Sequence, residues 1–274
     1  MPGFAPSRLN GRHSEREALA QIEAANIRVA DDLVRRAVCQ HLAGVDDVSA
    51  VDQAQRLAHI VVGDEHADAA PRQVPDELLR EILAEARWAP SWGNTQPWDL
   101  YILTGKTLAK FKEMNLNQTL AGAPIASDVP MLEKWPDAMK ARYGEVGKMV
   151  LSSQGITRED KAGREKYYKD MVMMFNAPCL ILACTSRDNL VEYQMLDIGL
   201  IAQTICLSAY SRGLGTCLLA AAARYPAEIR KIVPIADEWK IIAGISLGYP
   251  DPSAPLNTFE RTRAGLDEIV HWLD

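Results

Sequence analysis

The segment Ala89-Pro90-Ser91-Trp92-Gly93-Asn94-Thr95-Gln96-Pro97-Trp98 constrains this chain more than any other. Upstream of it, Pro75 at a first-turn position, Asp76 and Glu77 near the positive helix end, and Leu78, Leu79, Ile82, Leu83 and Ala86 describe an amphipathic helix running to about Ala89. A proline has no amide hydrogen and its ring clashes with the preceding turn, so Pro90 ends that helix. Downstream, Trp98, Leu100 and Ile102 alternate as in a half-buried strand, with Thr104-Gly105-Lys106 as its turn. Ser91, Asn94 and Gln96 are thereby confined to a proline-stiffened connector, where polar side chains can serve a ligand. On these residues alone, simple capping of the turn by Ser91 and Asn94 is the stronger account.

The rest of the chain divides into a helical N-terminal extension, residues 1–70, and a main domain, residues 71–274. Apolar spacing predicts helix from about Ser14 to Ala43 and again from Asp46 to about Val62, followed by a polar linker, Gly63 to Pro71. After the first strand comes a helix near Lys106 to Met114. A long stretch from about Ala121 to Asp170 then carries Met131, Trp135, Tyr143, Tyr167 and Tyr168 among many charges, as an exposed helical excursion or as a lid over a flat ligand. Pro178 to Ala183 is a continuous apolar strand, hence central. Met195 to Tyr210 is apolar on nearly every face, a core helix stopped by Gly213. Lys240 to Leu247 is another buried strand, Tyr249 to Pro252 a turn, and Leu266 to Trp272 fits helix or strand equally.

Composition narrows the chemistry. At 274 residues and 48% hydrophobic, the chain can bury one sizeable core. Its net charge of −6, with no dense Lys/Arg cluster, argues against nucleic acid or an anionic membrane as partner. The start lacks the basic-then-apolar order of a signal peptide and no apolar run is long enough to span a bilayer, so a cytoplasmic protein is expected. The cysteines Cys39, Cys179, Cys184, Cys206 and Cys217 are odd in number, lie mostly in apolar runs and form no C-x-x-C pair, which reads as buried reduced thiols rather than a metal site. Histidines occur only at positions 13, 41, 59, 66 and 271, which disfavours Ser-His or Cys-His nucleophile systems in the main domain. Gly213-Leu214-Gly215 follows a helix and lacks a third glycine, so it is no dinucleotide fingerprint. A polar turn shaped for a ligand, in a domain poor in protic catalytic groups, suits chemistry carried by a cofactor.

Three blocks in fixed order give that cofactor a family. The first is the Pro90-Ser91-Trp92-Gly93-Asn94-Thr95-Gln96-Pro97-Trp98 turn. The second is Arg212-Gly213-Leu214-Gly215-Thr216-Cys217 with Tyr225-Pro226, and the third is Gly244-Ile245-Ser246-Leu247-Gly248-Tyr249-Pro250 with Pro255-Leu256-Asn257 and a basic pair. From about Val74 to the C-terminus the chain resembles the nitroreductase family, dimeric flavin enzymes in which the first pattern binds FMN. The resemblance implies an α+β fold, with a central, mostly antiparallel sheet flanked by helices. It also implies an intertwined homodimer, in which the C-terminal segment extends and adds an edge to the partner's sheet.

The same resemblance assigns Pro90, Ser91, Trp92, Asn94 and Gln96 to cofactor binding. It sets Leu218, Leu219 and Ala220 beside the reactive face of the flavin, and Arg261 and Arg263 at the FMN phosphate. Some relatives carry an acid where this chain has Ala220. Many carry an Arg-Arg-Ser-x-Arg cluster upstream of the signature, where this chain has Gly63-Asp64-Glu65-His66-Ala67. Arg35 and Arg36 are the nearest substitute, or else the solvated face of an extension helix. The implied activity uses NADH or NADPH to reduce a small aromatic acceptor, a nitroaromatic or a quinone, with the chemistry on flavin N5 and no catalytic side chain. Other reductive tasks, aromatic dehalogenation or substrate dehydrogenation, and a non-catalytic flavin-binding role stand as alternatives.

Overall fold

The structure is a computed structural model that describes residues 72–130, 134–188 and 191–273. The expected extension helices, Arg35, Arg36, Cys39 and four of the five histidines lie outside the described residues.

Helix α1 spans Asp76–Ala86 and buries Leu79, Ile82 and Ala86 on one face. It stops three residues before the expected Ala89, because a residue before proline is driven out of the helical region; only turn-type bonds, such as Ala89 N–H to the Ala86 carbonyl at 2.9 Å, continue beyond it. A single 3-10 turn, Trp92–Asn94, leads into strand β1, Trp98–Thr104. The expected turn at Thr104-Gly105-Lys106 contracts to one residue: Gly105, at φ +50°, opens helix α2, Gly105–Leu120. That helix runs past Met114 because Asn115, polar in sequence, is buried and donates to the Val172 carbonyl at 2.7 Å.

The excursion is helical, as expected: α3 covers Asp137–Ser153 with no buried residue, and α4 covers Lys161–Val172. Then Met174, Phe175 and Asn176 adopt φ of 58°, 48° and 57°, a left-handed turn without glycine. Each such residue costs about 1–2 kcal/mol. Two buried α2 side chains clamp it: Asn115 on the Val172 carbonyl before the turn and Lys112 Nζ on the Ala177 carbonyl after it, at 2.8 Å.

Strand β2, Cys179–Ser186, helix α5, Val191–Tyr210, and strand β3, Gly215–Leu219, follow. After a 3-10 turn, Ala220–Ala223, come α6, Pro226–Arg230, and β4, Trp239–Gly248. The short helices α7, Pro255–Thr258, and α8, Leu266–Ile269, close the described chain. The sheet has order β1-β2-β4-β3 and every pair is antiparallel.

Strand β2 is central, which is why its apolar run is continuous. Leu180 and Leu182 face a core built with Phe111 and Ile229, while Ile181 faces Ile82, Ile201 and Ile205 of α1 and α5. Each fully buried side chain of this size contributes about 1.5–3 kcal/mol. The Arg212 guanidinium also bridges both Glu85 oxygens, at 2.7 and 2.9 Å, and ties α5 to α1. No described helix is long and apolar enough to cross a membrane.

The C-terminal segment departs from expectation. Instead of an extended edge, Leu266–Ile269 forms one helical turn, with Glu268 accepting from the Gly265 N–H at 2.8 Å and pairing with Arg142 of α3 at 3.2 Å. An isolated extended segment has no strand to bond with inside one chain, whereas Asp267 and Glu268 favour a helix start. Leu266, Ile269, Trp272 and Leu273 are left largely exposed.

Candidate active site

The polar turn after α1 is held in a strained shape from several directions. Gly93, Asn94 and Gln96 have φ of 57°, 57° and 48°, and two of these residues carry side chains in a region they rarely enter. Ser91 Oγ accepts the Gln96 N–H at 2.9 Å, so Ser91 shapes the loop. The Thr185 hydroxyl donates to the Pro97 carbonyl at 2.7 Å. From α5, the Asp197 carboxylate accepts the Trp92 N–H at 3.1 and 3.3 Å, and the Tyr193 ring lies 5.7 Å from that of Trp92. Asp197 is 2% exposed.

Sequence reasoning missed Asp197, although the one charged residue between Met195 and Tyr210 of a core helix was a visible signal. With the main chain so fixed, the Asn94 carboxamide is exposed and pairs with no described residue. Gln96 Nε2 donates to the Asn94 carbonyl at 3.2 Å and leaves Oε1 open. Two amides and the exposed Trp92 ring therefore face outward from a preformed loop, with donors and acceptors for the edge of a heteroaromatic ring. Pro90 is exposed beside them and serves as the helix stop.

Leu218, Leu219 and Ala220 lie at the end of β3, an outer strand whose free side leaves alternate main-chain groups unpaired. Leu218 is 51% exposed and Ala220 is exposed, while the Leu219 side chain points into the α2-side core, so only its main chain can meet a ligand. The following 3-10 turn sits closely on β4. A Cβ at Gly244 would collide with the Ala222 methyl and a Leu180 methyl, so only glycine permits that approach.

One chain does not bring these groups together. The Asn94–Gln96 turn borders β1 and Leu218–Ala220 ends β3, the two outer strands of the sheet, which lie three strand spacings or about 14 Å apart. Along the strands they are offset as well: Leu219 pairs with Gly244, Gly244 with Leu182 and Leu182 with Tyr101, three residues into β1 from Trp98.

Arg261 and Arg263 follow α7. Arg261 donates to the Leu256 carbonyl at 2.8 Å and lies over the Phe259 ring, so it shapes its own turn as well. Burial and the Arg263 charge push its pKa below the ordinary arginine value. Two guanidinium groups that repel each other suit a phosphate, which would relieve both. Taken separately, the turn suits the polar edge of a flat heteroaromatic ring and the arginine pair suits an anionic group.

Other chemistries find little here. Burial pushes the Cys217 thiol up to about 12, which leaves it protonated at neutral pH and a poor nucleophile. Among the described residues no group of three His, Cys, Asp or Glu side chains is placed to hold a metal ion. The excursion and α7 border a half-open pocket of about 290 Å³, lined in part by Ile156, Lys166, Tyr167 and Leu256; no candidate site residue lines it.

Comparison with known proteins bears on the same region. The nitroreductase family model matches residues 68–249. A 4-nitrobenzoate reductase of Pseudomonas putida is 33% identical over 207 residues, 74% of this chain and 88% of that protein. A 4-nitrobenzoate reductase of Nocardioides sp. (strain LMS-CY) is 32% identical, over 73% of this chain and 83% of that one. The crystal structure of the FMN-dependent nitroreductase NfnB from Mycobacterium smegmatis in complex with NADPH shares 25% identity, with a TM-score of 0.73 over 82% of this chain and 100% of that chain. This chain, with its signature turn pinned by Asp197 and its antiparallel four-stranded sheet, belongs to the nitroreductase family.

Proposed function

We propose that the protein is a homodimeric, FMN-dependent nitroreductase that uses NADPH or NADH to reduce nitroaromatic acceptors. One observation carries this reading: a strained, prearranged turn with outward carboxamides on one sheet edge, and an open strand end with exposed Leu218 on the other. Two such halves make complete sites only when a second copy brings the turn of one chain to the β3 end of its partner. The exposed Leu196, Leu266, Ile269 and Trp272 support such a partner, since apolar surface of this extent favours burial.

In this reading Asn94 and Gln96 hold the polar edge of the flavin, the main chain of Leu218–Ala220 backs its ring, and Arg261 with Arg263 binds its phosphate. Trp92 and Leu218 keep water from the ring faces. The chemistry supplied by bound FMN is two-electron transfer from the nicotinamide to the nitro group. Asp197 and Ser91 do no chemistry; they fix the turn before the ligand arrives, so that little ordering cost remains on binding. Arg35 and Arg36 are the candidates for further phosphate contacts from the extension. The buried free thiols of Cys179, Cys184 and Cys206 support a reducing, cytoplasmic setting.

The test is steady-state turnover by the full chain, with and without added FMN, using NADPH and either nitrobenzene or 4-nitrobenzoate. Nucleotide oxidation should require both flavin and nitroarene. Flavin binding with no nitroarene-dependent oxidation would overturn the assignment.

A further inference from the structure

Directly beyond the flavin-facing segment stands a cation with no carboxylate partner among the described residues. Arg224 follows the Ala220–Ala223 turn, four residues past Ala220, or about 8 Å at the rise of a 3-10 helix. Its main chain is fixed by the Ala126 N–H, which donates to the Arg224 carbonyl at 3.1 Å. Its guanidinium donates from Nη1 to the Tyr168 hydroxyl at 2.6 Å and lies 5.4 Å from the centre of that ring. Tyr168 belongs to α4, which packs directly on the same 3-10 turn. Among the described residues no carboxylate pairs with Arg224, whereas Arg212 and Arg230, the more buried arginines, have Glu85 and Asp128.

The pair is built like a receptor for an oxyanion. Tyr168 accepts the arginine's hydrogen bond, so its own O–H remains to be donated, and the guanidinium keeps further N–H groups. Both side chains reach solvent, and Tyr168 is 41% exposed. A phenol O–H and a guanidinium converging on one accessible spot can bind an anionic oxygen, and the neutral partner gives no competition for it.

We propose that Arg224 and Tyr168 bind the anionic group of a substrate, an oxyanion carried either by an aromatic acceptor as a carboxylate or by the nicotinamide nucleotide as its 2′-phosphate. This rests on the nitroreductase reading, and it makes acceptor or nucleotide selectivity a property of the α4 excursion. It also gives the excursion, read as a lid, a defined chemical task.

The test compares wild type with Arg224→Gln and Tyr168→Phe on matched substrates: 4-nitrobenzoate against nitrobenzene, and NADPH against NADH. Loss of a charge-assisted contact should raise KM for the anionic member of one pair by about tenfold or more, and leave the neutral member within about twofold. A change confined to nitrobenzoate assigns the carboxylate; one confined to NADPH assigns the phosphate. Calorimetric titration with benzoate and with NADP+, set against benzamide and NAD+, reads the same contact without turnover. Unchanged ratios in both pairs would overturn the proposal. So would flavin loss in both Arg224→Gln and Arg224→Lys, which would mark the residue as structural. Wild-type protein that turns over no nitroarene would instead strike the functional reading, and the titrations would still decide the anion contact.

Discussion

Replacing Asp197 by alanine separates the shape of the signature turn from the side chains that face the ligand. Its carboxylate accepts the Trp92 N–H with both oxygens, at 3.1 and 3.3 Å, from a position 2% exposed to solvent. A hydrogen bond to a charged group contributes about 1.5–3 kcal/mol, and removing Asp197 also orphans the amide. Relief of the cost of burying the carboxylate offsets part of this, which leaves a net loss of about 2 kcal/mol. The loss falls on a loop that holds Asn94 and Gln96 at positive φ, so the turn relaxes before the domain unfolds. A turn that must be re-ordered on binding weakens FMN by about tenfold for each 1.4 kcal/mol, here about thirtyfold. Asp197→Asn keeps an acceptor oxygen and should lose about half as much free energy. Equilibrium dialysis against FMN, with urea melts in parallel, measures both quantities. Wild-type FMN affinity in Asp197→Ala would refute the idea that this carboxylate prearranges the site.

Further predictions concern other parts of the molecule. Burial pulls the Lys112 pKa down to about 8, so folding disfavours its charged form below that pH and the penalty is relieved as pH rises towards the ordinary value of 10.5. The stability difference between wild type and Lys112→Met, from urea melts, should therefore shift in favour of wild type from pH 8 to pH 10. The thiols of Cys179 and Cys184, pushed up to about 12, pull the opposite way in both proteins and cancel; a flat difference would contradict the burial argument. Arg263→Ala should weaken FMN by about tenfold and riboflavin by less than about twofold, because only the phosphate contact is lost. Arg261→Ala should weaken both ligands, since Arg261 also holds the Leu256 and Phe259 carbonyls. Deleting the residues after Arg263 should lower the dimer fraction by light scattering and flavin content together. A truncated monomer with full flavin content would exclude the two-copy site.

Local signals made much of the fold legible. Pro75 and Pro90 bracket α1, and the unbroken run from Cys179 to Ala183 marks a strand covered on both faces. Gly213, at φ +72°, ends α5 as its position suggests. Strand β3 was harder to see: Gly215–Leu219 is short, starts with glycine and takes its extended form from pairing with β4. The left-handed turn at Met174–Asn176 contains no glycine to announce it, and its clamps come from α2, far away in sequence. Within the site, Asn94 and Gln96 were visible as amides between prolines. The bond from Trp92 to Asp197 spans 105 residues and exists only after α5 docks. The tail's apolar spacing fits a strand edge and a single helical turn alike; the extended form was implied by the resemblance, and within one chain no partner strand selects it.

The most direct test of the central claim is an anaerobic titration of the purified, FMN-loaded full chain. One NADPH per flavin should abolish the flavin's visible absorbance, and a nitroarene should then restore it while being reduced itself. Flavin that stays coloured in excess NADPH and NADH, or bleached flavin that no nitroarene reoxidises, would contradict the claim.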